Sequence, residues 1–184
     1  MSGAEPAVEP ARLRVGCPVW AHAAWKGGFF TAGARRQEFL PQYASVFGAA
    51  EANPTFYGLP SRETVARWSV EAPPDFRFCF KFPRTITHDR QLRDAGRETD
   101  EFLERLAPLG ARLGSFFLQL HSSFGAARLD MLGGYLRKLP ATFSYAVEVR
   151  APEFFDAGPA ERALDALLAE AGVDRVNFDT RGLF

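Results

Sequence analysis

The chain has 184 residues, 47% of them hydrophobic and 24% charged, with 22 basic side chains balancing 22 acidic ones. One globular domain of this length buries about 70% of its unfolded surface, so neither disulfides nor a metal is needed for folding. A net charge of zero speaks against a broad footprint for nucleic acid or an anionic membrane, and no apolar run is long enough to span a bilayer.

The chain opens with "MSGAEPAVEPARLR", rich in Ala, Pro and Glu. It lacks the basic start and apolar run of a secretory signal, so a flexible arm over residues 1–12 and a cytoplasmic protein are expected. One domain is expected over residues 13–184. The two cysteines, Cys17 and Cys79, make no disulfide framework and no zinc spacing, and read as packing residues. Strands are predicted at Leu13–Cys17, Phe47–Asn53, Phe76–Phe82, Ser115–His121, Tyr145–Arg150 and Arg175–Asp179. Helical spacing lies between them. Phe39, Tyr43 and Phe47 step by four, with Pro41 expected to kink or delay the helix. Val65 and Trp68 follow a predicted N-cap at Ser61. Phe102, Leu103 and Leu106 come next, then Leu129, Leu132, Leu136 and Leu139, and last Leu164, Leu167 and Leu168.

Strand and helix in alternation define an α/β chain with a parallel sheet, either an open doubly wound sheet or a (β/α) barrel. The strands decide between them. Central strands of an open sheet are apolar on both faces. Here Phe76, Phe78, Phe80 and Phe82 alternate with Arg77, Cys79 and Lys81, and Tyr145, Val147 and Val149 alternate with Ala146, Glu148 and Arg150. Gln119 and His121 share a face, as do Glu51 and Asn53. A barrel accounts for this: its outer face packs under helices, while its inner face turns polar toward the mouth. The phenylalanines are therefore expected outside and Arg77, Cys79 and Lys81 inside.

The stretches "VGCPVWAHAAWKGGFF", "EANPTFYGLPSRETVARW", "FRFCFKFPRTITHD", "FFLQLHSSF" and "YAVEVRAPEFF" occur in this order, and with them the chain resembles the DUF72, or YecE-like, family. The resemblance runs from Leu13 to Asp179 and implies a TIM barrel without implying a reaction. Cys17, His121, Ser122, Ala151 and Phe155 depart from the family pattern, all at strand ends. A complete barrel needs about 250 residues, and the resemblance implies two further strands. About six βα units are thus expected here, an incomplete or truncated barrel. Its open edges would invite a homo-oligomer.

Active sites of such barrels lie at the C-terminal ends of the strands. That rule selects Glu51 and Asn53, Lys81, Gln119 and His121, Glu148 and Arg150, and Asp179; the loops add Trp20, Trp25, Tyr57 and His88. Glu148 and Arg150 share an inward face, where the guanidinium can grip a carboxylate or phosphate or else close an internal salt bridge. Lys81 can bind an anion or act as a base, or it can pair with Glu51 or Glu148. His88, beside Asp89, is an acid/base candidate. Asn53, Gln119, Tyr57, Trp20 and Asp179 are assigned to ligand binding. Glu51, Glu148, Asp179 and a histidine offer ligands to a divalent ion, though with no diagnostic spacing, so the cofactor is left open.

The expected function is acid/base chemistry on a small anionic, phosphate- or carboxylate-bearing ligand. Arg150 and Lys81 would hold the anion while Glu148, Glu51 or His88 moves protons. Two alternatives stand beside it: a non-catalytic or decayed barrel, and a metal-dependent phosphodiesterase or sugar isomerase by analogy of fold. Membrane partners are excluded, and nucleic acid is not favoured.

Overall fold

A computed structural model describes residues 13–179. The arm expected over residues 1–12 lies outside the described residues. The strands are β1 Ala49–Ala52, β2 Arg77–Lys81, β3 Leu113–Gln119, β4 Tyr145–Glu148 and β5 Asp174–Arg175. The helices are α1 Phe39–Ala44, α2 Arg62–Glu71, α3 Gly96–Leu106, α4 Leu129–Leu136 and α5 Pro159–Ala171. All strand pairs are parallel and the sheet order is β1-β2-β3-β4-β5. Each strand lies beside its neighbour in sequence, and parallel crossovers are right-handed, so the connecting helices fall on one face. One-sided layering is the wall of a TIM-barrel-like fold, here an arc of five strands.

The alternation in the strands divides the faces as expected. Phe78, Phe80, Phe82 and Phe116 are fully buried under the helices. Trp68 of α2 stacks on Phe78 and Phe80 at 6.0 and 6.2 Å, and Phe102 of α3 meets Phe82 and Phe116 at 5.0 and 5.6 Å. Arg77, Cys79 and Lys81 are half-buried on the other face. Ser61 caps α2, its hydroxyl accepting from the Thr64 amide at 3.2 Å. Pro41 sits in the first turn of α1, where its missing N–H has no helical partner to lose, so the helix is neither delayed nor broken there. Phe47 lies beyond that helix, which ends at Ala44.

Two of the predicted strands differ. Leu13–Cys17 forms no ladder, and its outer residues Leu13 and Val15 are 92% and 61% exposed. Its end is nevertheless tied to β1. The Glu51 amide donates to the Cys17 carbonyl at 3.1 Å. The Cys17 amide donates to the Tyr43 hydroxyl at 2.5 Å, and that hydroxyl donates to the Ala49 carbonyl at 3.1 Å. Burial pushes the Tyr43 phenol up to about 12, which keeps it a donor. Gly16 makes the approach: a Cβ there would lie 1.9 Å from the Ala49 oxygen. Pro18 then lacks the N–H that a continuing ladder needs. At the other end, the strand expected over Arg175–Asp179 shortens to Asp174–Arg175, with one further bond from the Val176 amide to the Val147 carbonyl at 2.9 Å.

No helix among the described residues is long and apolar enough to cross a membrane.

Candidate functional site

The inner face of the arc collects its polar side chains at the C-terminal ends of the strands. Gln119 ends β3 and Glu148 ends β4, and the two are register partners. Gln119 Nε2 donates to Glu148 Oε1 at 2.8 Å, and Arg150 Nε donates to the same oxygen at 2.5 Å while its Nη2 closes an ion pair with it. Glu148 is only 7% exposed. The Arg150 guanidinium lies 4.6 Å over the Phe178 ring, which holds its plane.

Glu51 and Lys81 stand at the ends of the neighbouring strands β1 and β2, and feel Glu148 electrostatically. Burial raises the Glu51 carboxyl above its ordinary value of 4.5; Lys81 and the Asn53 amide oppose this and Glu148 adds to it. Burial lowers the Lys81 ammonium, with Glu148 and Glu51 opposing. Two carboxyl groups on one face thus have different surroundings. Glu51 is the one whose environment favours a bound proton, and Glu148 is the one fixed by two donors.

The turn Asn53–Phe56 closes the β1 end of this group. Thr55, which the sequence did not single out, is buried, and its hydroxyl lies 2.7 Å from both the Ala52 and the Lys81 carbonyls, clamping β1 to β2. Phe56 supplies a floor. Lys81 Nζ lies 4.4 Å from its ring centre, and the His88 ring meets it edge-on at 5.0 Å. His88 belongs to a single π-helical turn, Thr85–Asp89, a distortion that recurs at functional sites. The residues just after it hold positive φ at Gln91, Leu92 and Asp94. Strain of this kind persists where the surroundings impose it. The His88 ring also faces His121, at 5.4 Å and nearly perpendicular.

Glu51, Lys81, Gln119, Glu148, Arg150 and His88 are therefore brought to one region, with Asn53 beside them. Asn53 donates to the Pro18 carbonyl at 3.3 Å. Trp20 does not join: it is buried in the helix layer, edge-on to Trp68 and Phe78 at 5.3 and 5.4 Å. Tyr57 is 83% exposed and turned away onto the edge of Phe56. Asp179 is exposed beyond β5. Trp25 packs on Phe29 and Phe30, with Gly27 turning the loop at φ +80°, so this loop is a packed one. Among the described residues no group of three His, Cys, Asp or Glu side chains is placed to hold a metal ion.

Glu51 gives a testable sign. Its folded value lies above its unfolded one, so its contribution is full below the unfolded value of 4.5 and is lost as pH rises through the folded value. Glu51→Gln should flatten this part of the stability–pH curve. Urea unfolding at a series of pH values reads it, and identical slopes for the two proteins would show that the carboxylate is fully compensated by Lys81.

Fold and site together define a (β/α) barrel-type protein with a polar, carboxylate- and cation-lined mouth. The chain belongs to the DUF72 family, described as "Protein of unknown function DUF72", whose model matches residues 14–183. It is 42% identical over 169 residues to the UPF0759 protein YecE of Escherichia coli K12, covering 92% of this chain and 60% of that protein. The chain thus spans about 60% of the length of the curated relatives it matches. A DUF72 family protein of Thermotoga maritima MSB8 superposes with a TM-score of 0.73 at 26% identity, covering 90% of this chain and 64% of the other. One from Enterococcus faecalis V583 gives 0.65 at 25% identity, covering 90% and 62%.

Proposed function

We propose that the mouth of this sheet performs acid/base chemistry on a small anionic ligand. Lys81 and Arg150 hold the anion, Glu51 carries a proton to it, and Glu148 or His88 removes one. The observation that supports this reading is the grouping of two differently placed carboxyl groups and two cations on the ends of adjacent strands, where barrel chemistry takes place. Gln119 orients Glu148 through its 2.8 Å hydrogen bond. Asn53 favours the charged form of Glu51.

A second reading has its own observation. Arg150 is already committed to Glu148 and stacked on Phe178, as an ion pair that only fills the mouth would be. In that case the protein binds its ligand without turning it over. Thermal unfolding in the presence of phosphosugars, nucleotides and small carboxylates separates the two. A ligand at a hundred times its Kd stabilises by about 2.7 kcal/mol. That gain should vanish in Lys81→Met and in Arg150→Met, and the stabilising compound should be consumed on incubation. Stabilisation without consumption favours the binding protein, and stabilisation untouched by both substitutions rejects this site.

A further inference from the structure

His121 stands apart from the acid/base group, yet its ring pairs with that of His88. The two rings lie 5.4 Å apart at 87°, one on the turn after β2 and the other just past β3. Their hydrogen bonds assign the ring protons. His121 Nδ1 accepts from the Ser123 amide at 3.1 Å, with the Ser123 hydroxyl at 2.8 Å, so the proton of a neutral His121 sits on Nε2. The Thr87 hydroxyl lies 3.2 Å from the Pro83 carbonyl and 2.9 Å from His88 Nδ1; with its hydrogen on Pro83, His88 Nδ1 donates to the hydroxyl and Nε2 is the basic nitrogen. Neither Nε2 has a hydrogen-bond partner among the described residues. Lys81 joins them over the shared Phe56 floor.

We propose that His88, His121 and Lys81 form a subsite for a tetrahedral dianion, the phosphate-type group of the ligand, and that its binding draws one proton onto His88 Nε2. This rests on the reading of the mouth as an anion site and names the ligand class within it. The empty pair presents one donor, His121 Nε2–H, and one lone pair, His88 Nε2. An anion meets that lone pair unfavourably until it is protonated. Then two imidazole donors and one ammonium face it. A carboxylate, with one negative charge, does not offset a newly charged His88 beside the Lys81 ammonium at Phe56; a dianion with three outward oxygens does. The groups facing His88 are His121 beyond β3, Lys81 on β2, and Arg84 and Asp89 on its own turn. Burial is the largest influence, and it, His121, Lys81 and Arg84 disfavour the charged ring, with Asp89 alone opposing them. The free protein therefore disfavours a charged His88, and once the bound anion has brought its proton the accepting role at the mouth falls to Glu148.

Sulfate is the probe, because it stays a dianion throughout and any proton taken up belongs to the protein. Calorimetric titration with sulfate near pH ~7, in buffers of different ionisation enthalpy, should show uptake of close to one proton per site. Affinity should weaken by roughly tenfold per pH unit above the titration of His88. Acetate should bind at least about tenfold more weakly, and His88→Asn should lose the uptake together with about tenfold in sulfate affinity at pH ~6. His121→Asn should also weaken sulfate and reduce the uptake. Sulfate binding without proton uptake, or acetate binding equally well, overturns the subsite. The wild-type uptake measurement needs no variant, so a substitution that fails to fold leaves the test standing. Sulfate binding that depends on Lys81 and Arg150 but ignores both histidines rejects this subsite alone. Binding that depends on the histidines but ignores Lys81→Met and Arg150→Met rejects the subsite as drawn and the wider mouth with it. Failure of sulfate and acetate alike to bind removes both.

Discussion

Glu148→Gln is expected to abolish ligand turnover at the mouth, without abolishing ligand-induced stabilisation, while costing only about 1–2 kcal/mol of folding stability. The geometry explains the small cost. Gln119 and Arg150 both donate to one oxygen, Oε1, and a glutamine oxygen in that place can accept both bonds. What is lost is the charge, and with it the proton-accepting capacity and the compensation of Arg150 and Lys81. Glu148→Ala is different: it leaves a guanidinium and an amide without their acceptor at a position only 7% exposed, and should cost about 3–5 kcal/mol. Urea unfolding of both variants beside a thermal-shift titration reads the contrast. Equal costs for Gln and Ala would mean that the charge itself holds the mouth together, and the catalytic assignment would fall.

The fold was legible because its main signal is local. An alternation of phenylalanine with Arg77, Cys79 and Lys81 fixes which side of β2 meets the helices, whatever lies further along the chain. The cap at Ser61 is equally local, decided by one hydroxyl and an amide three residues on. Leu13–Cys17 misled for a physical reason. Its Leu13, Val15 and Cys17 alternate like a strand, but hydrogen bonds to a partner cannot be read from alternation, and Pro18 removes the donor that would extend them.

The site was legible in part for the same reason. That Glu51, Lys81, Gln119 and Glu148 share one face at the strand ends could be read in advance, because strand period and the strand-end rule place them without knowledge of distances. Trp20 was misplaced because a loop residue before β1 carries no period. Only the packed structure shows it running under α2 to Trp68. Thr55 gave no signal, since a hydroxyl that bridges two strand-end carbonyls looks like any turn threonine. The approach of His121 to His88 depends on the register of β2 against β3, which has an irregularity between Phe78 and Phe80 that nothing in the sequence announces.

Phe116→Ala should cost about 3–5 kcal/mol, and it tests the division of the two faces on which every site assignment depends. Phe116 is fully buried and touches Phe80, Phe82, Phe102, Phe143 and Tyr145 at ring distances from 5.4 to 6.3 Å. Truncation therefore opens a cavity among rigid aromatic rings that cannot collapse to fill it. Gln119, three residues later on the same strand, faces the mouth. Gln119→Ala removes one hydrogen bond to Glu148 and should cost about 1 kcal/mol. The functional effects should run the other way. Gln119→Ala frees Glu148 to turn and should weaken the ligand response, whereas Phe116→Ala, measured well below its lowered Tm, should leave the response per folded molecule unchanged. Urea unfolding and ligand titration of the two variants check both halves. If Phe116→Ala also removed the ligand response in fully folded protein, the helix layer and the mouth would be one mechanical unit, and the separation of scaffold from site along β3 would be wrong.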